Sequence, residues 1–161
     1  MSFIIREGVK KDAQSILNLI VELAVFEKEP DAVVINLEIL IADGFSENPK
    51  FKTFVAQELD GTIIGMALFY QRYSTWKGKS IHLEDLMVTQ DKRGIGAGKK
   101  LYGSVMKYAQ ENDFKRVSWE VLDWNINAIE FYKNTGATVY EQWRVCQMDT
   151  ESLTQFCNEN I

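Results

Sequence analysis

Histidine, cysteine and proline are scarce in this 161-residue chain, with one, two and two copies respectively. Cys146 and Cys157 have neither metal-ligand spacing nor a cluster of other ligands around them, so they read as reduced thiols and no metal is expected. The lone His82 has no serine or cysteine nucleophile pattern to accompany it, which argues against a hydrolase triad and leaves it a structural residue. No apolar run approaches the roughly 18 residues of a membrane span. The start, Met1 to Arg6, lacks a basic region followed by a long apolar stretch, so no secretory signal is expected and the cytoplasm is the default compartment. Cations are in deficit too: 18 Lys and Arg against 23 Asp and Glu give a net charge of −5. Nucleic-acid phosphates need clustered Lys and Arg, so such a partner is not expected, and a small cationic ligand suits the surface better. Repeats, low-complexity tracts and Gly/Ser linkers are absent, so residues 1–161 read as one domain of ordinary size.

What is present alternates between two hydrophobic periods. Phe3 to Arg6 reads as a strand. Ile16, Leu17, Ile20, Leu23 and Ala24 recur at helical spacing after Asp12. Asn36 can cap a second helix through Leu37, Leu40 and Ile41, with Gly44 at its end. Asp60-Gly61 between Thr53–Glu58 and Thr62–Arg72 is a hairpin signal, since both turn residues tolerate positive φ. A loop from Tyr73 to Lys79 leads to a strand from Ser80 to Val88. A glycine-rich turn then precedes a helix from Lys99 to Glu111 and a strand from Val117 to Leu122. Asn125 caps a helix through Tyr132, Gly136 follows it, and Thr138 to Met148 reads as a last strand before a short amphipathic helix. The order β-α-α-β-β-β-α-β-α-β predicts an α/β fold with a mixed, mostly antiparallel sheet and helices on both faces.

The most informative segment runs from Leu86 to Lys100. A hydrophobic strand meets Arg93, then Gly94, Gly96 and Gly98 alternate into a helix. Glycines let the backbone bend and present its N–H groups, and the helix N-terminus adds partial positive charge, which together suit a diphosphate. Arg93 and Lys99 are plausible additional cations. A nucleotide P-loop needs Gly where Arg93 stands and Ser or Thr where Lys100 stands, and the dinucleotide fingerprint needs Gly where Lys99 stands. What remains, Arg-x-x-Gly-x-Gly, resembles the coenzyme A pyrophosphate loop of the GCN5-related N-acetyltransferases (GNAT).

Three further blocks extend the likeness over nearly the whole chain. They are Glu22-Leu23-Ala24-Val25-Phe26-Glu27, then Tyr73-Ser74-Thr75-Trp76-Lys77-Gly78 running into Leu83-Glu84-Asp85, and Asp123-Trp124-Asn125 followed by Phe131-Tyr132-Lys133. These resemble the spermidine/spermine, or diamine, acetyltransferases, and the Ser-Thr-Trp-Lys-Gly and Leu-Asp-Trp-Asn versions are closest to the thialysine-preferring branch. The resemblance implies acetyl-CoA as acetyl donor and coenzyme A as product. It implies that Leu86, Met87 and Val88 offer strand backbone to the acetyl and pantetheine parts. Arg93, Gly94, Ile95, Gly96, Ala97, Gly98 and Lys99 would hold the pyrophosphate, and Asn125, Ile126, Asn127 and Ala128 the coenzyme further along. Tyr132 matches the family's general acid, and Glu84 its carboxylate that takes the amine's proton through water. Phe26, Glu27, Trp76, Glu84, Asp85, Ser118, Trp119, Glu120, Glu141 and Trp143 fall at substrate-contacting positions. Related enzymes are homodimers, which would let Trp76 act in the partner's site. Ser74 stands where spermidine/spermine enzymes carry an acid, which favours a shorter diamine or lysine analogue over spermine.

The chemistry is self-consistent. A lysine-like amine, pKa about 10.4, is almost wholly protonated at neutral pH and needs a proton acceptor such as Glu84. The Met87 or Val88 N–H can stabilise developing negative charge on the acetyl oxygen, and Tyr132 can protonate the departing thiolate. Alternatives remain open at this point: a protein amine or aminoglycoside as acceptor, or an acetyl-CoA sensor without turnover.

Overall fold

A computed structural model describes residues 3–160. Met1 and Ser2, part of the N-terminus read above as free of a secretory signal, lie outside it, as does Ile161. The chain divides into two compact units, up to Glu120 and from Val121 onward.

The first unit holds the sheet. Strands β1 (Phe3–Glu7), β2 (Lys52–Glu58), β3 (Ile63–Ser74), β4 (Gly78–Val88) and β5 (Arg116–Ser118) lie side by side in chain order. Every neighbouring pair is antiparallel except β4 and β5, which are parallel. Helices α1 (Ala13–Phe26) and α2 (Leu37–Gly44) intervene between β1 and β2, and α3 (Ala97–Glu111) makes the crossover to β5.

Because alternate strand residues point to opposite faces, β2 serves two layers. Val55 joins Met66, Met87, Ile16, Leu19 and Leu40 in a core against α1 and α2. On the other face Phe54 stacks on Phe69 at 5.3 Å, and both pack against Tyr108 of α3. Helices therefore cover both faces, as the element order predicts. Full burial of such side chains contributes roughly 1.5–3 kcal/mol each.

Local chemistry sets the element ends. Asn36 Oδ1 accepts from the Ile39 amide and caps α2 as expected. Asp12 instead turns its carboxylate back onto Arg6, with Nη–Oδ distances of 2.6 and 2.9 Å, and onto the Val9 amide, tying β1 to the start of α1. This pairing holds Asp12 below the usual carboxylate range. The expected loop from Tyr73 to Lys79 is a tight hairpin: β3 runs to Ser74 and β4 begins at Gly78. Ser74 Oγ accepts from the Trp76 and Lys77 amides, and Gly78 supplies a φ of +85°.

The second unit contains α4 (Ile126–Asn134) and α5 (Thr150–Asn160). Asn125 Oδ1 caps α4 through the Ala128 amide at 3.3 Å, and Gly136 follows with φ +90°. The expected strand over 138–148 does not form. Trp143, Val145 and Met148 are exposed there, and alternation of apolar residues yields a strand only when a second strand supplies the hydrogen-bond ladder. The strand expected over 117–122 is likewise shorter, Arg116–Ser118, because its pairing with β4 ends at His82↔Ser118.

Candidate active site

Strand β4 organises the site in the first unit. Its pairing with β3 slips between Leu68↔Asp85 and Phe69↔Leu83, so Glu84 is the extra residue of a β-bulge. The sequence alone implies that Glu84 and Asp85 alternate across a regular strand. The bulge breaks that alternation and re-aims Glu84. From Leu83 to Val88, β4 has no ladder with β5, which leaves the backbone of Leu86, Met87 and Val88 without a strand neighbour on that side within this unit.

Glu84 is half exposed and gathers two partners on one oxygen. Tyr70 Oη donates to Oε2 at 2.8 Å, and His82 Nε2 lies 3.5 Å from the same atom. Burial and the neighbouring Glu84 push the Tyr70 hydroxyl up to about 12, so it remains a donor across the neutral range. Asp85 is mostly enclosed. Burial first, then the charges of Glu84 and Glu27, raise its carboxyl to about 7. Glu27, which ends α1, is itself raised by burial. Three carboxyl groups thus share one neighbourhood, Asp85 mostly enclosed and Glu27 and Glu84 exposed, and like charges set so close favour a bound cation.

The glycine-rich turn has the geometry its sequence implies. Gly94 and Gly96 adopt φ of +83° and +87°, a region that favours glycine, and Gly96 is the N-cap of α3. The helix begins at Ala97, two residues before the expected Lys99, so Ala97, Gly98 and Lys99 all contribute first-turn amides that have no acceptor within the helix. The turn is moored from two sides. Lys92 Nζ pairs with both oxygens of Glu58 at 2.9 Å. Glu22 of α1 accepts from Thr89 Oγ1 and from the Gln90 amide.

Arg93 folds back on the end of β4: Nε donates to the Val88 carbonyl at 3.0 Å, and the guanidinium lies 4.8 Å from the Phe26 ring centroid. It joins the turn to β4 and α1. Ser118 Oγ donates weakly to the Ile81 carbonyl at 3.5 Å, and Trp119 meets Tyr102 edge-on, so these two are tied into the first unit's packing, while Glu120 is exposed. Trp76 stands 79% exposed at the hairpin tip.

In the second unit, the Asn125 cap places Ile126, Asn127 and Ala128 in the first turn of α4. Tyr132 is buried, beside Phe131. Glu141 and Trp143 lie in the irregular stretch and are exposed.

The sequence reading did not place Glu22, Tyr70 or Arg72 beside the site and left His82 a structural residue. Tyr70 and His82 are register partners on β3 and β4, so recognising the hairpin and its register would have brought both near Glu84.

The acetyltransferase (GNAT) family model matches residues 14–137. The thialysine N-epsilon-acetyltransferase of Bos taurus is 38% identical over 99% of this chain and 100% of its own length. The L-ornithine N5-acetyltransferase NATA1 of Arabidopsis thaliana is 34% identical over 71% of this chain and 51% of its own. The fold is shared with the aminoglycoside N-acetyltransferase AAC(6')-Iy, solved in complex with CoA, at a TM-score of 0.72 and 18% identity, covering 91% of this chain and 94% of that one.

Proposed function

The chain belongs to the acetyltransferase (GNAT) family and is an N-acetyltransferase, and we propose that it moves the acetyl group of acetyl-CoA onto a primary amine of a small lysine-like or diamine substrate. The observation that carries the substrate class is the grouping of Glu27, Glu84 and Asp85: burial first, then the charges of the other two, raises Asp85 to about 7, and a compact ammonium would relieve that repulsion. Support comes from the thialysine and ornithine specificities named for the relatives, since both acceptors carry an amine on a short aliphatic arm.

The residues present fit the donor. Glycines with positive φ at 94 and 96, followed by the first-turn amides of α3, suit a diphosphate, and the unpaired stretch of β4 suits an extended amide-bearing arm. When bound, acetyl-CoA supplies an activated thioester. This chain's residues do the rest. Glu84 accepts the amine's proton through water, and Glu27 and Asp85 hold the ammonium. Tyr132 is assigned the proton for the departing thiolate by its match to the family motif. Asn125 to Ala128 contact the coenzyme further along, and Phe26, Trp76, Ser118, Trp119, Glu120, Glu141 and Trp143 are assigned to the acceptor side. By the same likeness the working form is a homodimer.

Ser74 spends its hydroxyl on the hairpin turn and supplies no charge for a second ammonium, so short acceptors are expected to outperform spermine. The test is acetyl-CoA consumption with thialysine, lysine, ornithine, putrescine, spermidine and spermine, and with a peptide and an aminoglycoside beside them. Turnover highest with the lysine-like acceptors supports the assignment. Turnover only with a peptide or an aminoglycoside overturns it, and coenzyme binding without turnover on any acceptor would mark a sensor.

A further inference from the structure

His82 is the chain's single histidine, 7% exposed, and it stands between two charged side chains. On one side Arg72 Nη1 lies 3.3 Å from Nδ1. On the other, Nε2 lies 3.5 Å from Glu84 Oε2. A guanidinium has five donors and no acceptor, and it does not lose its proton in proteins. Nδ1 must therefore present its lone pair to Arg72, which leaves the ring proton on Nε2, 3.5 Å from Glu84 Oε2. A doubly protonated ring would set an N–H against the Arg72 donor.

Tyr70 Oη converges on the same Glu84 oxygen, and its ring lies 5.3 Å from that of His82. Among the described residues, no hydrogen-bond donor reaches Glu84 Oε1. We propose that His82 is a positioning residue for the acetyl-transfer step: Arg72 fixes it as the neutral Nε2–H tautomer, and with Tyr70 it holds Oε2 so that Oε1 is presented to the proton leaving the amine. This rests on the reading of Glu84 as proton acceptor. The arrangement uses a side-chain donor on each of two paired strands, so the carboxylate is aimed by the sheet and not by a loop.

With only one imidazole, histidine-selective ¹⁵N labelling gives one pair of ring nitrogens to assign. The full-length wild-type protein at neutral pH should show the Nε2–H tautomer, and Arg72→Met should release it into a mixture of tautomers. His82→Phe should lower kcat about tenfold with the KM for acetyl-CoA unchanged, and His82→Gln, whose amide can donate in place of Nε2–H, should recover most of that loss. An Nδ1–H or charged ring in the wild type overturns the inference, as do equal losses in the Phe and Gln variants, which would mark a packing role. Glu84→Gln separates the two layers. If that variant turns over normally, the acceptor reading fails and the inference falls with it. If it is impaired while His82 behaves as a packing residue, the inference alone falls.

Discussion

Asp85→Asn should melt several degrees higher than the wild type at pH 8 while binding its amine far less well. The folded chain keeps a proton on Asp85 up to about pH 7, whereas the unfolded chain releases it near the ordinary value of 3.8. A raised carboxyl of this kind contributes stability at low pH that is lost as pH rises through that window, so the full cost is present at pH 8. The gap between about 7 and 3.8, at 1.36 kcal/mol for each step of pH, corresponds to about 4 kcal/mol. Half of that recovered corresponds to roughly 5 °C in a domain of this size. The stability gain should shrink steadily toward pH 5 and vanish near pH 3, below the ordinary carboxylate value, where both states hold the proton. Calorimetric melts across that range check the stability half, and the amine KM checks the other half. An unchanged melting temperature with an intact KM would remove Asp85 from both roles.

Glu84→Gln is expected to reduce kcat by roughly 10²–10³ at neutral pH, within the usual worth of a positioned proton acceptor. The side chain is half exposed, and an amide can still accept from Tyr70, so folding should survive. The pH dependence supplies the sharper discrimination. A lysine-like acceptor loses its proton to solvent above about pH 10, so the variant's deficit should narrow there. Tyr70, raised to about 12, stays protonated over the assay range and does not confuse the result. A deficit constant at every pH would show that Glu84 shapes the site without taking a proton.

The parts legible in the sequence are those where a local rule acts alone. The Asn36 and Asn125 caps, the Asp60-Gly61 turn and the alternating glycines each declare a backbone need, and all four appear where expected. Register is different, because it depends on two segments at once. The bulge at Glu84 follows from how Leu68 and Phe69 meet β4, and nothing within Leu83-Glu84-Asp85 announces it. His82 looked inert for the same reason: its partners Arg72 and Tyr70 are 10 and 12 positions away and arrive only through the hairpin. The strand expected over 138–148 fails in the opposite direction, since its alternation is real but alternation cannot specify a neighbour.

Glu22 lies one helical turn before Phe26 and Glu27, and its carboxylate grips Thr89 and Gln90 at the mouth of the glycine turn. Helix α1 therefore carries both an anchor of the glycine turn and the side chains proposed for the acceptor. Any coupling between coenzyme and amine carried by this helix would be equal in both directions, by thermodynamic reciprocity. Glu22→Gln tests the link: any difference in the amine's affinity with and without coenzyme should shrink once this anchor is weakened, and calorimetric titrations in both states check it.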